Sequence, residues 1–335
     1  MQNKNTQKGG FVISLDFEMM WGCHEWSTIG EYGMSNVANV REVITKMLEL
    51  FKKYNVHATF ATVGMIMAKD KSDLTRFIPK LKPNYLDENK SPYKPGFIEG
   101  IKKEEEFLFF APDIIDLLKE TNGIEIGTHT FSHYYCWSPG QSIEEFEEDI
   151  KAAVNIATAK GIKLKSVVFP KNEVDEKYLQ ILRRYGITNY RGNATYFFNN
   201  PKSKAEAYRF MIGRIADAYF PIVNNLFDYA EITTGNGVNN VKASRLFRSY
   251  SNILRLMEPL RIRRIKKEIK TAARNGKVYH LWWHPHNFGA DADKNLHNLE
   301  EVLKAYAKCS SKYGMRSFNM SELSSLLQLE TKANL

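Results

Sequence analysis

Cysteine is scarce in this chain: Cys23, Cys136 and Cys309 are the three among 335 residues. An odd, widely spaced trio builds no disulfide framework, which argues against a small cross-linked secreted fold and fits a reducing compartment. No stretch approaches eighteen uninterrupted apolar residues, so no transmembrane helix is expected. The start, residues 1–10, is polar and runs straight into an apolar segment, without the apolar core of a secretory signal. A cytoplasmic location is therefore expected, the inner face of a membrane included. The chain has no internal repeat, no low-complexity tract and no recognised nucleic-acid module.

What is present is enough apolar material, 43% of residues, for a large core. The length is generous for one domain, yet α/β barrels often reach it, and one domain over 1–335 is expected. The formal charge of +9 is local. Residues 242–277 hold twelve Lys or Arg and two Asp or Glu, so the remainder of the chain is close to neutral. Within that segment, 259–277 reads as an amphipathic helix. Ile262, Ile265, Ile269 and Ala272 form one face, and Arg261, Arg263, Arg264, Lys266, Lys267 and Lys270 occupy most of the others. Three uses fit such a helix. A solvated surface is the commonest, an anionic lipid surface or a phosphate-bearing carrier the second, and nucleic acid the least supported.

Seven strand-like runs punctuate the chain, at 11–15, 56–63, 124–126, 166–169, 187–191, 278–283 and 316–318. Helical patterns separate most of them. Val37, Val40, Ile44, Met47, Leu48 and Phe51 make one apolar face, with Ser35 or Asn36 as cap and Asn55 as stop. Pro112 opens a second helix, and Ser142-Ile-Glu-Glu145 is a capping box for a third. The acidic run 144–149 reads as its solvated, dipole-favoured start. Further helices are expected at 175–185, 296–313 and from Ser321 to Leu329. Strands alternating with helices point to a parallel sheet. Two stretches resist this pattern, 65–110 and 192–277, and read as insertions shaping a cleft. His57 reads as a residue packed on a strand face.

The reactive side chains gather at strand ends. Asp16 and Glu18 close the first strand, and positions two apart in an extended segment point the same way. His129 and His133 follow the third strand, and one helical turn would put both imidazoles on one side. His284 and His286 follow Val278–Trp283. A lone His-x-x-x-His recurs by chance on many helices. Three clusters at three strand ends are harder to explain by packing, and carboxylates with imidazoles suit a hydrolytic metal site with one open position. Cys23 and Cys136 read as inert buried thiols.

Asp16-x-Glu18, Ala58-Thr-Phe60, Gly127-Thr-His-x-x-x-His133, Phe169-Pro170 and Trp283-His284-Pro285 together resemble the ordered motifs of the polysaccharide deacetylase family, carbohydrate esterase family 4. The resemblance spans roughly residues 10–320. It implies a distorted seven-stranded (β/α) barrel, with Glu18, His129 and His133 as ligands of a divalent metal, most simply zinc. It also implies Asp16 as general base and His284 as general acid. Trp21, Pro170, Lys171, Asn172, Arg191, Trp283 and His286 are the expected substrate contacts, with an oxyanion donor in the 171–173 turn. Two departures stand out. Met19 sits where many relatives have a second aspartate. Val168 sits where the family usually has the arginine that orients the base, and Lys171 or Arg191 would have to replace it in space.

The activity so implied is removal of an N-acyl group, an acetyl or formyl, from an amino sugar in a glycan or its nucleotide- or lipid-linked precursor. Two rivals stay open: hydrolysis of a cyclic amide of the allantoin type, and glycan binding without catalysis on the same fold.

Overall fold

Strand β1, Gly10–Phe17, is buried along all eight residues and pairs on both sides. Its composition, Gly-Phe-Val-Ile-Ser-Leu-Asp-Phe, is that of a strand covered on both faces. The computed structural model describes residues 7–27, 29–194, 204–232 and 237–333. Residues 1–6 of the polar start and 195–203 and 233–236 of the second insertion lie outside them.

The described residues form nine strands. After β1 come β2 Ala58–Thr62, β3 Ile124–Thr128, β4 Ser166–Val167, β5 Asn189–Tyr190, β6 Asn239–Asn240, β7 Arg245–Leu246, β8 Val278–Trp283 and β9 Arg316–Phe318. All pair in parallel, in the order β6-β5-β4-β3-β2-β1-β8-β7. Strand β9 pairs with the first half of β1, ahead of where β2 joins it. The seven expected strands are all present. The two additional ones are two-residue strands from the second insertion. They lie at opposite ends of the sheet yet are four residues apart in sequence, so residues 239–246 link its two edges and curl it into a distorted barrel.

Alternation along β1 sorts its side chains between two cores. Phe11, Ile13, Leu15 and Phe17 face the helix layer with Tyr279, Leu281 and Trp283. Val12 faces the interior with Ala61, Val168, Val241 and Val278. Each large apolar side chain fully buried this way contributes roughly 1.5–3 kcal/mol. The outer layer includes helices Val40–Tyr54, Pro112–Glu120, Ile143–Ala159, Glu176–Arg184, Glu258–Asn275 and Ala292–Tyr313. The Ser142–Glu145 capping box and the left-handed Asn55 stop form as expected.

Some expectations need correction. Neither Ser35 nor Asn36 caps the first helix. A 3-10 turn, Val37–Asn39, precedes it, and the Asn36 amide is spent on the carbonyl of His286, 3.2 Å away. Of the six cations assigned to polar faces of helix Glu258–Asn275, Arg261 and Arg264 are buried. Arg261 pairs with Glu258, and Arg264 with Asp217 and Glu268. Insertion helix Lys204–Tyr219 supplies Asp217, which a sequence pattern for one helix does not reveal. No helix among the described residues is long and apolar enough to cross a membrane.

The last helix, Met320–Ala333, starts two residues earlier than a Ser321 cap would place it. Asn319 accepts from the Glu322 N–H at 2.9 Å, and Glu322 accepts from the Asn319 N–H at 3.0 Å. Met320 and Leu323 then pack on Val12 and Val278 at the barrel end opposite the strands' C-termini. His57 is more than a packed ring: its Nδ1 lies 2.7 Å from Glu322 Oε2, tying β2 to this helix.

The hydrogen bond with Glu322 raises the His57 pKa above its ordinary 6.5 against partial burial. A raised histidine stabilises the fold below the unfolded value and loses that contribution as pH rises through the folded one. Glu322→Gln keeps the cap and removes the charge. The melting temperature gap between wild type and Glu322→Gln is expected to be about 1–2 °C near pH 6 and to close by about pH 9, given ~0.3–1 kcal/mol for a half-exposed pair. Thermal melts across that range check it, and a gap that widens with pH would contradict it.

Candidate metal centre

The C-terminal ends of β1, β3, β5 and β8 meet at one rim of the barrel, where parallel α/β barrels carry their chemistry. Asp16 and Glu18 leave β1 toward the same point, as their spacing suggests. Asp16 Oδ2 lies 3.7 Å and Glu18 Oε1 3.4 Å from His284 Nε2. Both carboxylates are buried, and His284 is partly exposed.

His129 and His133 come together differently from the expected helical turn. The segment after β3 is irregular, with Thr130 and His133 in the left-handed region at φ 63° and 59°. Asp149 holds this loop. Its carboxylate accepts from the N–H of Phe131 at 2.7 Å and of Ser132 at 3.1 Å, and from the Ser132 hydroxyl. The acidic run 144–149 is therefore not wholly solvated: Glu145 and Asp149 are buried. Burial pushes the Asp149 carboxyl up to about 6 against these hydrogen bonds.

Glu18 Oε1 lies 3.0 Å from His129 Nε2 and 3.4 Å from His133 Nε2. The three donor atoms fall within 4.8 Å of one another. His129 Nδ1 contacts the Val168 carbonyl at 2.8 Å. A carbonyl only accepts, so Nδ1 carries a proton, and Nε2 is the nitrogen turned toward the carboxylate. One carboxylate oxygen and two imidazole nitrogens, buried and with His284 leaving one side partly open, fit a divalent ion of the zinc class. Burial opposes the Glu18 charge, yet the surrounding histidines hold its carboxyl well below the usual range.

His133 Nδ1 lies 3.0 Å from the Tyr135 hydroxyl, which is hydrogen-bonded to Glu25. Lys171 pairs with Glu25 at 2.8 Å and lies over the Tyr135 ring. A chain of partners thus orients the second imidazole.

The missing arginine is replaced. Arg191, at the end of β5, grips Asp16 with two bonds of 2.7 Å and also bonds Ser14 at 3.0 Å and Asn172 at 2.8 Å. Burial disfavours the Asp16 charge, but Arg191, with His129 and His284, outweighs it and lowers the carboxyl pKa. Lys171 does not take this part. Val168 faces the apolar interior and contributes its carbonyl to His129.

The expected substrate contacts divide. Lys171 and Asn172 lie at the rim in a left-handed turn, φ 54° and 55°, after buried Pro170. Trp21 and Trp283 are fully buried and unavailable to a sugar. Trp21 bonds the Phe109 carbonyl among Phe97, Phe109 and Phe110 of the first insertion, and Trp283 stacks on Phe288. Trp282 is the tryptophan that faces the site, with its ring 4.2 Å from the Arg191 guanidinium. Alternation with His280 and His284 is the signal that could have found it. His286 is buried beside Cys23 and His284 rather than presented to substrate. All three cysteines are free and buried.

Removing one partner of a buried ion pair strands the other charge. Arg191→Met is expected to destabilise the fold by about 3–5 kcal/mol. Combining it with Asp16→Asn should recover a large part of that loss. Denaturant unfolding of both single variants and the double variant checks the coupling, and additive losses would show that the pair carries no stability of its own.

The comparisons with known proteins agree with this architecture. No curated protein sequence matches the chain. Among solved structures, a protein from Mycobacterium smegmatis assigned as a polysaccharide deacetylase has a TM-score of 0.60 at 11% identity, covering 99% of this chain and 94% of that one. The α-amylase of Thermotoga maritima reaches 0.53 at 12% identity, over 95% and 74%. The 4-α-glucanotransferase of Thermococcus litoralis reaches 0.52 at 14%, over 95% and 40%. At such identities these likenesses speak for the barrel alone. The family model for polysaccharide deacetylases matches residues 12–190, more than half of the chain, and this protein belongs to that family.

Proposed function

We propose that the protein is a zinc-dependent N-deacylase that removes an acetyl group from an amino sugar in a glycan or glycan precursor. One observation carries the reading. In a member of the polysaccharide deacetylase family, Glu18, His129 and His133 converge in metal-ligand geometry with Asp16 and His284 beside them. A divalent ion held by Glu18, His129 and His133 would polarise the amide carbonyl and make water acidic enough to be deprotonated near neutral pH.

The chain's own groups do the rest. Arg191 fixes both oxygens of Asp16 in place, leaving each a lone pair. Asp16 takes the proton of the attacking water as general base. In the 171–173 turn, the N–H groups of Asn172 and Glu173 are closed onto the carbonyls of Phe169 and Pro170. That of Lys171 is the donor left for the developing oxyanion. His284 protonates the departing amine, so the amide C–N bond breaks to give acetate and the free amino sugar. The nearby acids Glu18 and Asp16 raise its pKa against burial, which keeps a proton available. Trp282, and Trp137 at 54% exposure, offer ring faces for the sugar.

His129→Ala/His133→Ala is expected to hold one zinc per chain fewer than wild type, by elemental analysis. Asp16→Asn and His284→Asn should each cut acetate release by roughly 10²–10⁴-fold. Acetate release from a panel of acetylated amino sugars is the assay. Ring opening of a cyclic amide would move the reading to the allantoin type. Sugar binding with no turnover at full metal loading would leave a binding protein.

The second insertion supports delivery of the substrate at an anionic lipid surface. Strand β7 is parallel to β8, so the chain leaving it emerges at the catalytic rim. It carries Ile253 at 93% and Leu256 at 88% exposure. Leu260, Arg263, Lys267, Lys270 and Arg274 continue one exposed helix face. The two acids of the segment are turned away, Glu258 to Arg261 and Glu268 to Arg245 and Arg264. Each such cation is worth about 1 kcal/mol at an anionic membrane. The protein is expected to co-sediment with anionic vesicles at low salt and not with neutral ones, and Arg263→Glu/Lys267→Glu should abolish this. No sedimentation, or sedimentation indifferent to salt, would remove the membrane from the reading.

A further inference from the structure

A second group of potential ligands lies beside the first: Glu18, Cys23 and His286, all buried, each offering one ligand atom within 4.8 Å of the others. Cys23 Sγ and His286 Nε2 are 4.0 Å apart. The local chain is shaped to bring them there. Left-handed Met19, φ 49°, starts a 3-10 turn, Met19–Gly22, that carries Cys23 back over Glu18. Gly22 is required in that turn because a Cβ would collide with Glu18 Oε2. The second carboxylate oxygen therefore lies against the turn bearing Cys23, while Oε1 faces His129, His133 and His284. From the other side, Asn36 holds the His286 carbonyl and the Tyr32 ring meets the imidazole edge-on.

As a packing arrangement this is poor. His286 Nδ1 is buried with no partner among the described residues, and its Nε2 has only a thiol at long range. A buried polar atom left unbonded costs roughly 1–3 kcal/mol. As a ligand set it is good: a thiolate, an imidazole and a carboxylate oxygen suit zinc or cobalt and disfavour magnesium or calcium.

We propose that Cys23, His286 and Glu18 form a second metal position, with Glu18 bridging two ions through its two oxygens. Binding releases the thiol proton to solvent as the metal–sulfur bond forms. The first position keeps His129 and His133, the second adds sulfur, and the two differ in spectroscopic signature.

The test is a cobalt(II) titration of the metal-free full chain, read by absorbance and by bound metal, with no turnover required. Two ions per chain are expected, the second bringing a near-ultraviolet sulfur-to-cobalt charge-transfer band. Cys23→Ser should abolish the band and reduce the stoichiometry to one, with the first ion retained. His286→Asn should weaken the second ion at least tenfold. Cys23→Ala replaces Cys23→Ser should the latter lose the wild-type circular dichroism. One ion per chain, a second ion without the band, or a band that survives loss of Cys23 overturns the proposal. Because Cys136 and Cys309 remain as buried thiols in every variant, the last outcome would point to one of them. Loss of the deacylase reading would leave these outcomes unchanged, since none is read from activity.

Discussion

Asp16 sits on a strand buried along its whole length, and its charge survives there because the Arg191 guanidinium is laid flat against it. Desolvating a carboxylate costs several kcal/mol, and a bidentate arginine in a low-dielectric interior is among the few partners able to offset it. The pair in turn demands further polar company. Ser14, Asn172 and the Trp282 ring complete the guanidinium's surroundings, and His280 bonds Ser14 at 2.8 Å. The upper interior is accordingly polar, while Val12, Val168 and Val278 fill the layer beneath with apolar contacts. Much of the barrel's internal division follows from keeping one carboxylate ionised.

A comparable logic holds the histidines. A buried carboxylate, Asp149, accepts three hydrogen bonds from a loop that has no helix or strand of its own. That loop bears two non-glycine residues with positive φ, one of them His133. Strained backbone of this kind persists where surrounding contacts over-determine it. Here those contacts are Asp149 beneath the loop and Tyr134, whose N–H donates to Thr130 Oγ1 at 2.7 Å. At the opposite end, buried Glu125 accepts from Thr59, Ser166 and the N–H of Ser321, joining three parts of the chain under the sheet. Carboxylates thus organise both ends of the barrel.

Legibility in the sequence followed the range of the interactions. Strands announced themselves by runs of buried residues, and the capping box at Ser142 by a local pattern, since both are set within a few residues. Asp16, Glu18, His129, His133 and His284 were legible because each closes a strand or follows one, and parallel strands end together. What failed was contact at a distance. Asp149 reads as one acid among several on a helix until the loop it holds is placed over it. Trp282 and Trp283 are adjacent, so only the pleat tells which faces the site. Arg264 looks solvated until Asp217, more than forty residues earlier, arrives beside it. The short strands β6 and β7 carry no pattern, because two residues are too few to show one.

The relocation of the arginine has a consequence for how the site is coupled to the rest of the chain. Position 168, just past β4, is filled by Val168, whose side chain packs in the apolar interior. Arg191 reaches Asp16 from the end of β5, one residue before the second insertion begins. Beside it, the Gly192 N–H bonds the Asn240 side chain at 3.0 Å, and the Gly192 carbonyl accepts from Ala243 at 2.8 Å. Residues 239–246 are the run that links the sheet's two edges. The residue fixing Asp16 is thus anchored by the segment that curls the sheet, and that segment leads directly to exposed Ile253 and Leu256. In a packed interior, displacement of one such segment is resisted by its neighbours rather than absorbed. Whatever engages the insertion therefore acts on a run of chain that shares hydrogen bonds with Gly192, the residue next to the holder of Asp16. An arginine in the middle of the sheet would have no such connection.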